Sequence, residues 1–279
     1  MPAGPVAFVL GGGGVLGACE VGMLQALVEA GIRPDLVLGT SVGAVNGAFV
    51  AADPGPVTVT ELGRLWQEIA AGEVFADSLL RQVGTFVRSR THLQRHEPLR
   101  RLLETHLPVS RVEELAVPFQ CVAASVERAA EHWFDSGPLV DAVLASCAVP
   151  GLLPPVEVDG EHFLDGGLVH SIPVGRAVAL GARTVFVLHV GRIEHPLVPP
   201  RRPWEVGLVA FEIARRHRFA ADMAAVPPGV EVHVLPTGGE PPGGDWKHLR
   251  NRDFAAVPRR IAAARDATAR LLTERGVGA

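Results

Sequence analysis

Two uninterrupted apolar runs near the start of the chain predict buried strands. "VAFVL" (6–10) and "LVLG" (36–39) are apolar throughout, which is typical of parallel strands that are covered on both faces. Between them, "ACEVGMLQALVEAG" (18–31) has apolar residues at helical spacing and ends on Gly31, a residue that often follows the last turn of a helix. This strand–helix–strand order, with another helix after it, predicts an α/β fold with helices on both faces of a parallel sheet.

The later apolar runs predict more strands and helices of the same kind. The strands are 119–125, 162–164, 184–190 and 230–235, and the helices are 41–52, 60–71, 98–106, 139–146, 204–222 and 254–273. Residues 72–97 are rich in arginine, whereas 191–203 and 236–245 are rich in proline and glycine, so we interpret all three as surface loops. No internal repeat or linker interrupts the pattern, and we expect a single domain over residues 1–279.

Composition and charge exclude several classes of protein. The chain has 279 residues, of which 48% are hydrophobic, so it can bury a sizeable core. Its net charge of −4 argues against nucleic acid as a partner, because such binding needs a basic face. No run approaches the ~20 apolar residues that span a membrane, and the N-terminus lacks the basic region of a signal peptide. The three cysteines lack zinc-ligand spacing, so we expect reduced thiols, no metal and a cytoplasmic protein.

The pentapeptide "GTSVG" (39–43) is the first candidate for chemistry. It follows the second predicted strand and opens a helix, which is the context of a nucleophile elbow. Such a turn raises the Ser41 hydroxyl above the sheet edge, at a helix N-terminus that favours developing negative charge. The alternative is a plain tight turn in which the Ser41 side chain caps the helix.

A run of glycines follows the first predicted strand, in "VLGGGGVLGA" (9–18). Without side chains, the backbone N–H groups of Gly13 and Gly14 are open to a ligand oxygen. Turns that follow neighbouring parallel strands meet at one edge of the sheet, so we expect this loop to face Ser41. The loop and the serine together predict an oxyanion hole and a nucleophile.

The same glycines also permit a different function. Gly12, Gly14 and Gly17 fit the G-x-G-x-x-G fingerprint of dinucleotide-binding proteins. Asp35 has roughly the spacing of the acidic residue in that fingerprint, but it lies before the second strand rather than at its end. A non-catalytic protein that binds a nucleotide or a lipid phosphate through residues 12–17 is therefore the alternative function.

A catalytic serine needs a general base, and the sequence offers two kinds. A Ser-His-Asp esterase would use a downstream histidine, for which the candidates are His170, His189, His195, His217, His233 and His248. In that fold, however, several strands precede the elbow, whereas Ser41 follows only the second strand. The other candidate is Asp165, which ends a short strand in "DGG" (165–167) and could take the serine proton directly unless it forms a plain turn.

With "GGGVLG" (12–17), "GTSVG" (39–43) and "DGG" (165–167) in this order, the chain resembles the patatin-like phospholipases. The stretch 145–174 around the aspartate also looks like that family. The resemblance implies a three-layer α/β/α fold and metal-free, cofactor-free hydrolysis of lipid acyl esters through an acyl-enzyme. It makes Ser41 the nucleophile and Asp165 the base. The glycines that it places in the oxyanion hole are Gly12, Gly13 and Gly14, and those that support the motifs are Gly17, Gly39, Gly43, Gly166 and Gly167.

Two features bear on the substrate. The family usually has Arg or Lys just before the last glycine of the first motif, where this chain has Leu16. The missing cation predicts a preference for neutral lipids or simple esters over anionic headgroups. The arginine-rich segment 72–97, in contrast, is a candidate for contact with an anionic membrane surface.

Overall fold

The computed structural model describes residues 4–70, 95–190, 196–239 and 254–277. Within these residues, eight strands form one sheet in the order β5-β6-β3-β2-β1-β7-β8, with β4 also paired to β3. The strands are β1 (Val6–Leu10), β2 (Leu36–Thr40), β3 (Phe119–Ser125), β4 (Ala130–Phe134), β5 (Val156–Val158), β6 (Glu161–Asp165), β7 (Thr184–Leu188) and β8 (Glu231–Val234). Each predicted strand is present, and β4 and β5 are strands that the sequence did not predict.

Helices connect most of these strands. They are α1 (Ala18–Glu29), α2 (Val42–Ala52), α3 (Pro56–Ala70), α4 (Glu97–His106), α5 (Leu139–Ser146), α6 (Val174–Ala179), α7 (Pro203–Ala224) and α8 (Val257–Glu274). The predicted helices are confirmed within a few residues at their ends, and the short α6 is an addition. Gly31 has φ +74° and forms the expected C-terminal cap of α1, with the Ile32 N–H donating to the Leu27 carbonyl.

The fold has three layers, α/β/α, around a mostly parallel sheet. The strands β3, β2, β1, β7 and β8 run parallel, whereas β4 and β6 pair antiparallel with β3. Along β1, Phe8 and Leu10 face a core that includes residues of α1, α2 and α8, and Val9 faces a second core with α6 and α7. The predicted covering of the sheet on both faces is therefore confirmed.

The neighbours of β3 determine where the candidate site lies. Residues 121–125 of β3 pair with β4 along one edge. On the opposite edge, β3 pairs first with β2, through Val122 opposite Thr40, and then with β6, through Ala123 opposite Asp165. The carboxyl ends of β2 and β6 therefore meet end to end beside β3.

The C-terminal helix packs against the first helix. A Cβ at Gly22 of α1 would lie 2.1 Å from the carbonyl oxygen of Ile261 in α8, so only glycine permits this approach. At one end of the contact, Arg265 pairs with Glu29 at 3.0 Å.

Among the described residues, no helix is both long enough and apolar enough to cross a membrane.

Candidate active site

Ser41 sits at a strained elbow between β2 and α2. Its backbone has φ 55° and ψ −126°, a conformation that costs roughly 1–3 kcal/mol for a residue with a side chain. The turn is also tight, because a Cβ at Gly39 would lie 2.5 Å from the Ala44 Cα, and one at Gly43 would lie 2.3 Å from the Leu10 carbonyl oxygen. Ser41 occupies the N-cap position of α2, but its side chain makes no capping hydrogen bond. The helix therefore does not use the hydroxyl.

Two hydrogen bonds that elbow residues donate to distant acceptors hold the elbow. The Ser41 N–H donates to the Ser146 hydroxyl at 2.9 Å, and the Thr40 hydroxyl donates to the His170 carbonyl at 2.8 Å. Both contacts are buried. Ser146 ends α5 and lies in the stretch that resembles the patatin-like family, but nothing in its local sequence marks it as a site residue. It is a supporting residue that the sequence analysis missed.

The glycine loop lies directly beside the serine, as predicted. A Cβ at Gly12 would be 3.4 Å from the Ser41 Cβ, whereas one at Gly13 would collide with Val190 at 2.1 Å. Gly14 is exposed, has φ +56° and would meet nothing within 4 Å. Among the described residues, the N–H groups of Gly13 and Gly14 have no hydrogen-bond acceptor. These two amides are therefore available to a ligand oxygen.

The amide of Gly12 is placed differently from the expectation. Its N–H already donates to the carbonyl of Ser171 at 3.1 Å, so it is not open to a ligand in this arrangement. The Ser171 hydroxyl is buried beside the loop, 3.5 Å from the position of a Gly12 Cβ, and has no partner among the described residues. Ser171 is a second loop-supporting residue that the sequence analysis missed.

Asp165 is buried beside the elbow at the end of β6. Its Oδ1 accepts the Gly167 N–H at 2.7 Å, whereas Oδ2 has no hydrogen-bond partner among the described residues. Burial raises the pKa of Asp165 to about 6 against the opposing effects of the Ser41 hydroxyl, the Gly167 N–H and the Arg215 charge. The Ser41 hydroxyl is among the groups that favour the ionised form of Asp165, although the two side chains form no regular hydrogen bond in this arrangement. A buried carboxyl group with a raised pKa is not what a plain turn at Asp165 requires.

The remaining motif glycines permit close approaches around the site. A Cβ at Gly17 would lie 2.5 Å from Val42 at the start of α2, and a Cβ at Gly166 would lie 2.1 Å from the Val122 carbonyl oxygen. At Gly167 it would lie 2.7 Å from Phe211 of α7. Each glycine therefore brings two parts of the site together.

The acidic residue of the dinucleotide interpretation lies at the wrong end of the sheet. Asp35 accepts the Val6 N–H at 2.8 Å and donates its own N–H to the Val6 carbonyl. Val6 begins β1, whereas the glycines follow Leu10 at its end, about 13 Å away at a rise of about 3.3 Å per residue. Asp35 is consequently not placed to contact a ligand on the loop.

Several histidines of the triad interpretation have other contacts. The His170 ring pairs with Glu131 at 2.6 Å, and the His233 ring stacks on Phe186. His189 stacks near Phe219 with ring centroids 6.3 Å apart, and His217 is exposed on α7. His195 and His248 lie outside the described residues, as do most of segment 72–97 and its arginines Arg81, Arg88 and Arg90.

Comparisons with known proteins agree with the motifs. The profile of the family Patatin-like phospholipase matches residues 8–178. The lysophospholipase nte1 of Aspergillus terreus is 32% identical over 197 residues, which cover 68% of this chain and 12% of that protein. A patatin-like phospholipase domain-containing protein of Caenorhabditis elegans is 35% identical over 195 residues, covering 68% of this chain and 14% of that protein. The chain thus spans about an eighth of the length of these curated relatives.

Solved structures show a weaker likeness. The crystal structure of VipD from Legionella pneumophila aligns over 98% of this chain and 68% of that chain, with 14% identity and a TM-score of 0.47. The family assignment rests instead on the profile, which covers more than half of the chain and all three motifs. This chain belongs to the patatin-like phospholipase family.

Proposed function

We propose that this chain is a serine acyl hydrolase that cleaves carboxylic esters of lipids through a Ser41–Asp165 dyad. The observation that carries the proposal is the meeting of β2 and β6 on one edge of β3. It brings a strained serine to a buried carboxylate whose Oδ2 has no partner among the described residues. The Gly13 and Gly14 amides beside the serine, which meet no acceptor in the described part of the chain, support the same chemistry. Family membership supports a lipid as the acyl donor.

The acylation half of the reaction uses all three elements. The Asp165 carboxylate takes the proton of the Ser41 hydroxyl as the serine oxygen bonds to the ester carbonyl carbon. The resulting oxyanion accepts hydrogen bonds from Gly13 and Gly14, and one such donor is worth about 3–4 kcal/mol in the transition state. Asp165 then gives the proton to the departing alcohol oxygen as the ester bond breaks, which leaves an acyl-enzyme.

The deacylation half repeats the same proton transfers with water. Asp165 takes a proton from a water molecule whose oxygen attacks the acyl carbon, and the same two amides stabilise the second oxyanion. The bond to Ser41 then breaks, the serine oxygen recovers a proton from Asp165, and the free fatty acid leaves. This cycle returns the enzyme to its starting state.

The first test is covalent labelling of the serine. A fluorophosphonate is expected to add once to the wild type and not to Ser41→Ala, as measured by intact mass. Labelling that survives in Ser41→Ala would contradict the assignment. Unlabelled but folded wild type, with and without detergent micelles, would favour the alternative function, a non-catalytic binder of a nucleotide or lipid phosphate.

The second test identifies the base. Asp165→Asn is expected to abolish turnover of an ester substrate while the protein keeps its fold by circular dichroism. His170→Ala is the matched control, because a Ser-His-Asp mechanism makes the opposite prediction for the two variants. Full activity in Asp165→Asn together with loss in His170→Ala would replace the dyad by a triad.

The substrate proposal starts from the names of the relatives. Lysophospholipids are the first compounds to assay for fatty-acid release, because several relatives are named lysophospholipases. Leu16 in place of a cation predicts faster hydrolysis of a neutral glyceride than of phosphatidylglycerol with the same acyl chains. Equal rates for the two lipids would contradict the second expectation.

We also propose that this protein contacts membrane surfaces. The arginine-rich segment 72–97 would meet anionic lipids, since each basic residue near such a surface adds about 1 kcal/mol of attraction. Reversing the charge of Arg81, Arg88 and Arg90 is expected to weaken binding to vesicles that contain phosphatidylserine. Unchanged binding and activity would remove the segment from the mechanism.

We also propose that the whole chain forms one domain, supported by the packing of α8 on α1.

A further inference from the structure

A buried arginine lies behind the glycine loop. Arg215 on α7 is 4% exposed, and a fully buried arginine normally needs complete pairing. Its Nη1 donates to the Gly12 carbonyl and to Glu212, each at 3.4 Å, which are long hydrogen bonds. Its Nε and Nη2 have no partner among the described residues. Packing alone gives no reason to bury a guanidinium with such incomplete pairing.

The contacts of this guanidinium lead to both halves of the proposed chemistry. The Gly12 carbonyl belongs to the same peptide unit as the Gly13 N–H, which is one of the two open amides. In addition, the positive charge of Arg215 acts on Asp165 and lowers the pKa of that carboxyl. One side chain thus contacts the peptide of an open amide and acts by its charge on the proposed base.

We propose that Arg215 is a positioning residue of the Ser41 site: it orients and polarises the Gly12–Gly13 peptide and places its positive charge beside the Asp165 carboxylate. The inference rests on the proposed function and adds to it a residue from α7, outside the three motifs. Leu16 supplies no cation to the loop from within the first motif, whereas Arg215 supplies one from 203 residues away in the sequence.

The polarisation has a simple physical basis. A carbonyl that accepts a hydrogen bond from a charged donor makes the N–H of the same peptide a stronger donor. The bond also fixes the plane of a peptide that is flanked by glycines and would otherwise rotate freely. The Gly13 N–H is then preorganised before an oxyanion forms, which is the condition for an effective oxyanion hole.

Arg215 is one of two cations that share a buried carboxylate. Glu212 pairs with Arg215 at 3.4 Å and with Arg216 at 3.6 Å, so one carboxylate is shared by two guanidinium groups. Burial raises the pKa of the Cys147 thiol well above the usual range and keeps that thiol neutral, so it adds no charge near Asp165. Among the described residues, Arg215 is the cation whose charge lowers the pKa of Asp165.

The test compares pH profiles of kcat/KM for an ester substrate in wild type, Arg215→Gln and Arg216→Gln. In Arg215→Gln we expect the midpoint of the acidic limb to rise by about one pH unit, since an opposite charge nearby lowers a carboxyl pKa by about 1–3 units. Its kcat is expected to fall about tenfold or more with KM nearly unchanged, because an oxyanion donor acts in the transition state. Arg216→Gln, the adjacent cation with the same partner, is expected to keep the wild-type midpoint.

Two further variants decide the question if Arg215→Gln fails to fold. Arg215→Lys keeps the charge, so it is expected to keep the midpoint while losing part of kcat. Glu212→Gln removes the shared carboxylate and is expected to move the midpoint to lower pH. An unshifted midpoint in a folded Arg215→Gln protein would overturn the inference. If Arg215→Gln does not fold, an unshifted midpoint in Glu212→Gln together with an unchanged kcat in Arg215→Lys would overturn it.

The outcome is separable from that of the proposed function. Fluorophosphonate labelling of wild-type Ser41 is measured first, on the same preparation. Failure of that labelling refutes the hydrolase itself. A labelled wild type whose Arg215 variants show an unchanged pH profile refutes only the role of Arg215.

Discussion

The strain at Ser41 predicts an unusual order of stability between two inactive variants. Ser41→Ala removes the hydroxyl and keeps a Cβ at φ 55° and ψ −126°, whereas Ser41→Gly removes the Cβ as well. Glycine adopts positive φ at no steric cost, so the glycine variant relieves the strain that alanine retains. We therefore expect Ser41→Gly to be the more stable of the two.

The size of the difference follows from opposing contributions. Relief of the strain is worth roughly 1–3 kcal/mol. Against it, glycine increases the entropy of the unfolded chain by about 0.4–1 kcal/mol, and loss of a buried methyl group costs about 0.8 kcal/mol. The middle values of these contributions leave Ser41→Gly about 0.5 kcal/mol more stable than Ser41→Ala.

Ala48→Gly provides the matched control, because Ala48 is buried in the same helix, α2, with ordinary helical geometry. There the change from alanine to glycine is expected to destabilise by about 1–2 kcal/mol, from helix propensity and the lost methyl group. Urea unfolding of the four proteins at equal m-values gives both differences. If Ser41→Gly is less stable than Ser41→Ala by the amount seen at Ala48, the elbow stores no strain and the argument fails.

Other consequences of the site and its packing are measurable in the same assays. Ser146→Ala leaves the buried Ser41 N–H without an acceptor and is expected to cost about 1–3 kcal/mol of stability together with a loss of kcat; wild-type values for both would exclude a role at the elbow. Gly22→Ala forces a Cβ to 2.1 Å from the Ile261 carbonyl oxygen and is expected to lower the free energy of unfolding by about 1–3 kcal/mol, with the fluorophosphonate adduct retained. The rate of ester hydrolysis is expected to rise with pH around a midpoint near 6, because burial raises the pKa of Asp165 to about 6 and only its carboxylate accepts a proton; a flat profile would exclude Asp165 as the base. The raised pKa of Asp165 also means that the folded state binds this proton more tightly than the unfolded chain does, so the free energy of unfolding falls as pH rises through 6. Asp165→Asn is therefore expected to be more stable than wild type at neutral pH by up to about 3 kcal/mol, but not near pH 4.

Elements with strong local signals were predictable from the sequence. The bounds of β1, β3 and α5 agree with the prediction to the residue, because each is a mostly apolar run with a strong local pattern. The cap at Gly31 was predictable for a similar reason, since its left-handed backbone depends on the glycine itself. In such segments, local preference and tertiary packing favour the same structure.

Elements that were missed have weak local patterns. The strand β4 has polar and partly exposed residues on the outer side of β3, and β5 is only three residues long. The helix α6 has six residues and begins directly after Pro173. Such segments take their structure from a partner strand or from packing against α7 and β7, neither of which a window of sequence contains.

The candidate site shows the same difference between local sequence signals and contacts that depend on the tertiary fold. The sequence alone predicts Ser41, Asp165 and the loop glycines as candidate site residues, because each lies in a motif with its own turn geometry. Which partners they meet depends on the tertiary fold: Ser146 reaches Ser41 across 105 residues, and Arg215 reaches the loop from the part of the chain without a recognised motif. The end-to-end meeting of β2 and β6 beside β3 is likewise a property of the sheet and of no single motif.

Both groups proposed for catalysis are held in states that oppose folding. The Ser41 backbone is strained, and Asp165 is buried with one oxygen that no described residue pairs with. A serine with ordinary φ or a solvated aspartate would each be more stable. Ser41 and Asp165 both lie where the surrounding structure leaves the backbone little freedom to relax. Glycines allow backbone to approach backbone on both sides of the elbow, and the residue at the end of β6 is fixed by its pairing with β3. A substitution that relaxes either group is therefore expected to stabilise the protein and to abolish its activity at the same time. If the strain served packing alone, a substitution could relieve it without loss of activity.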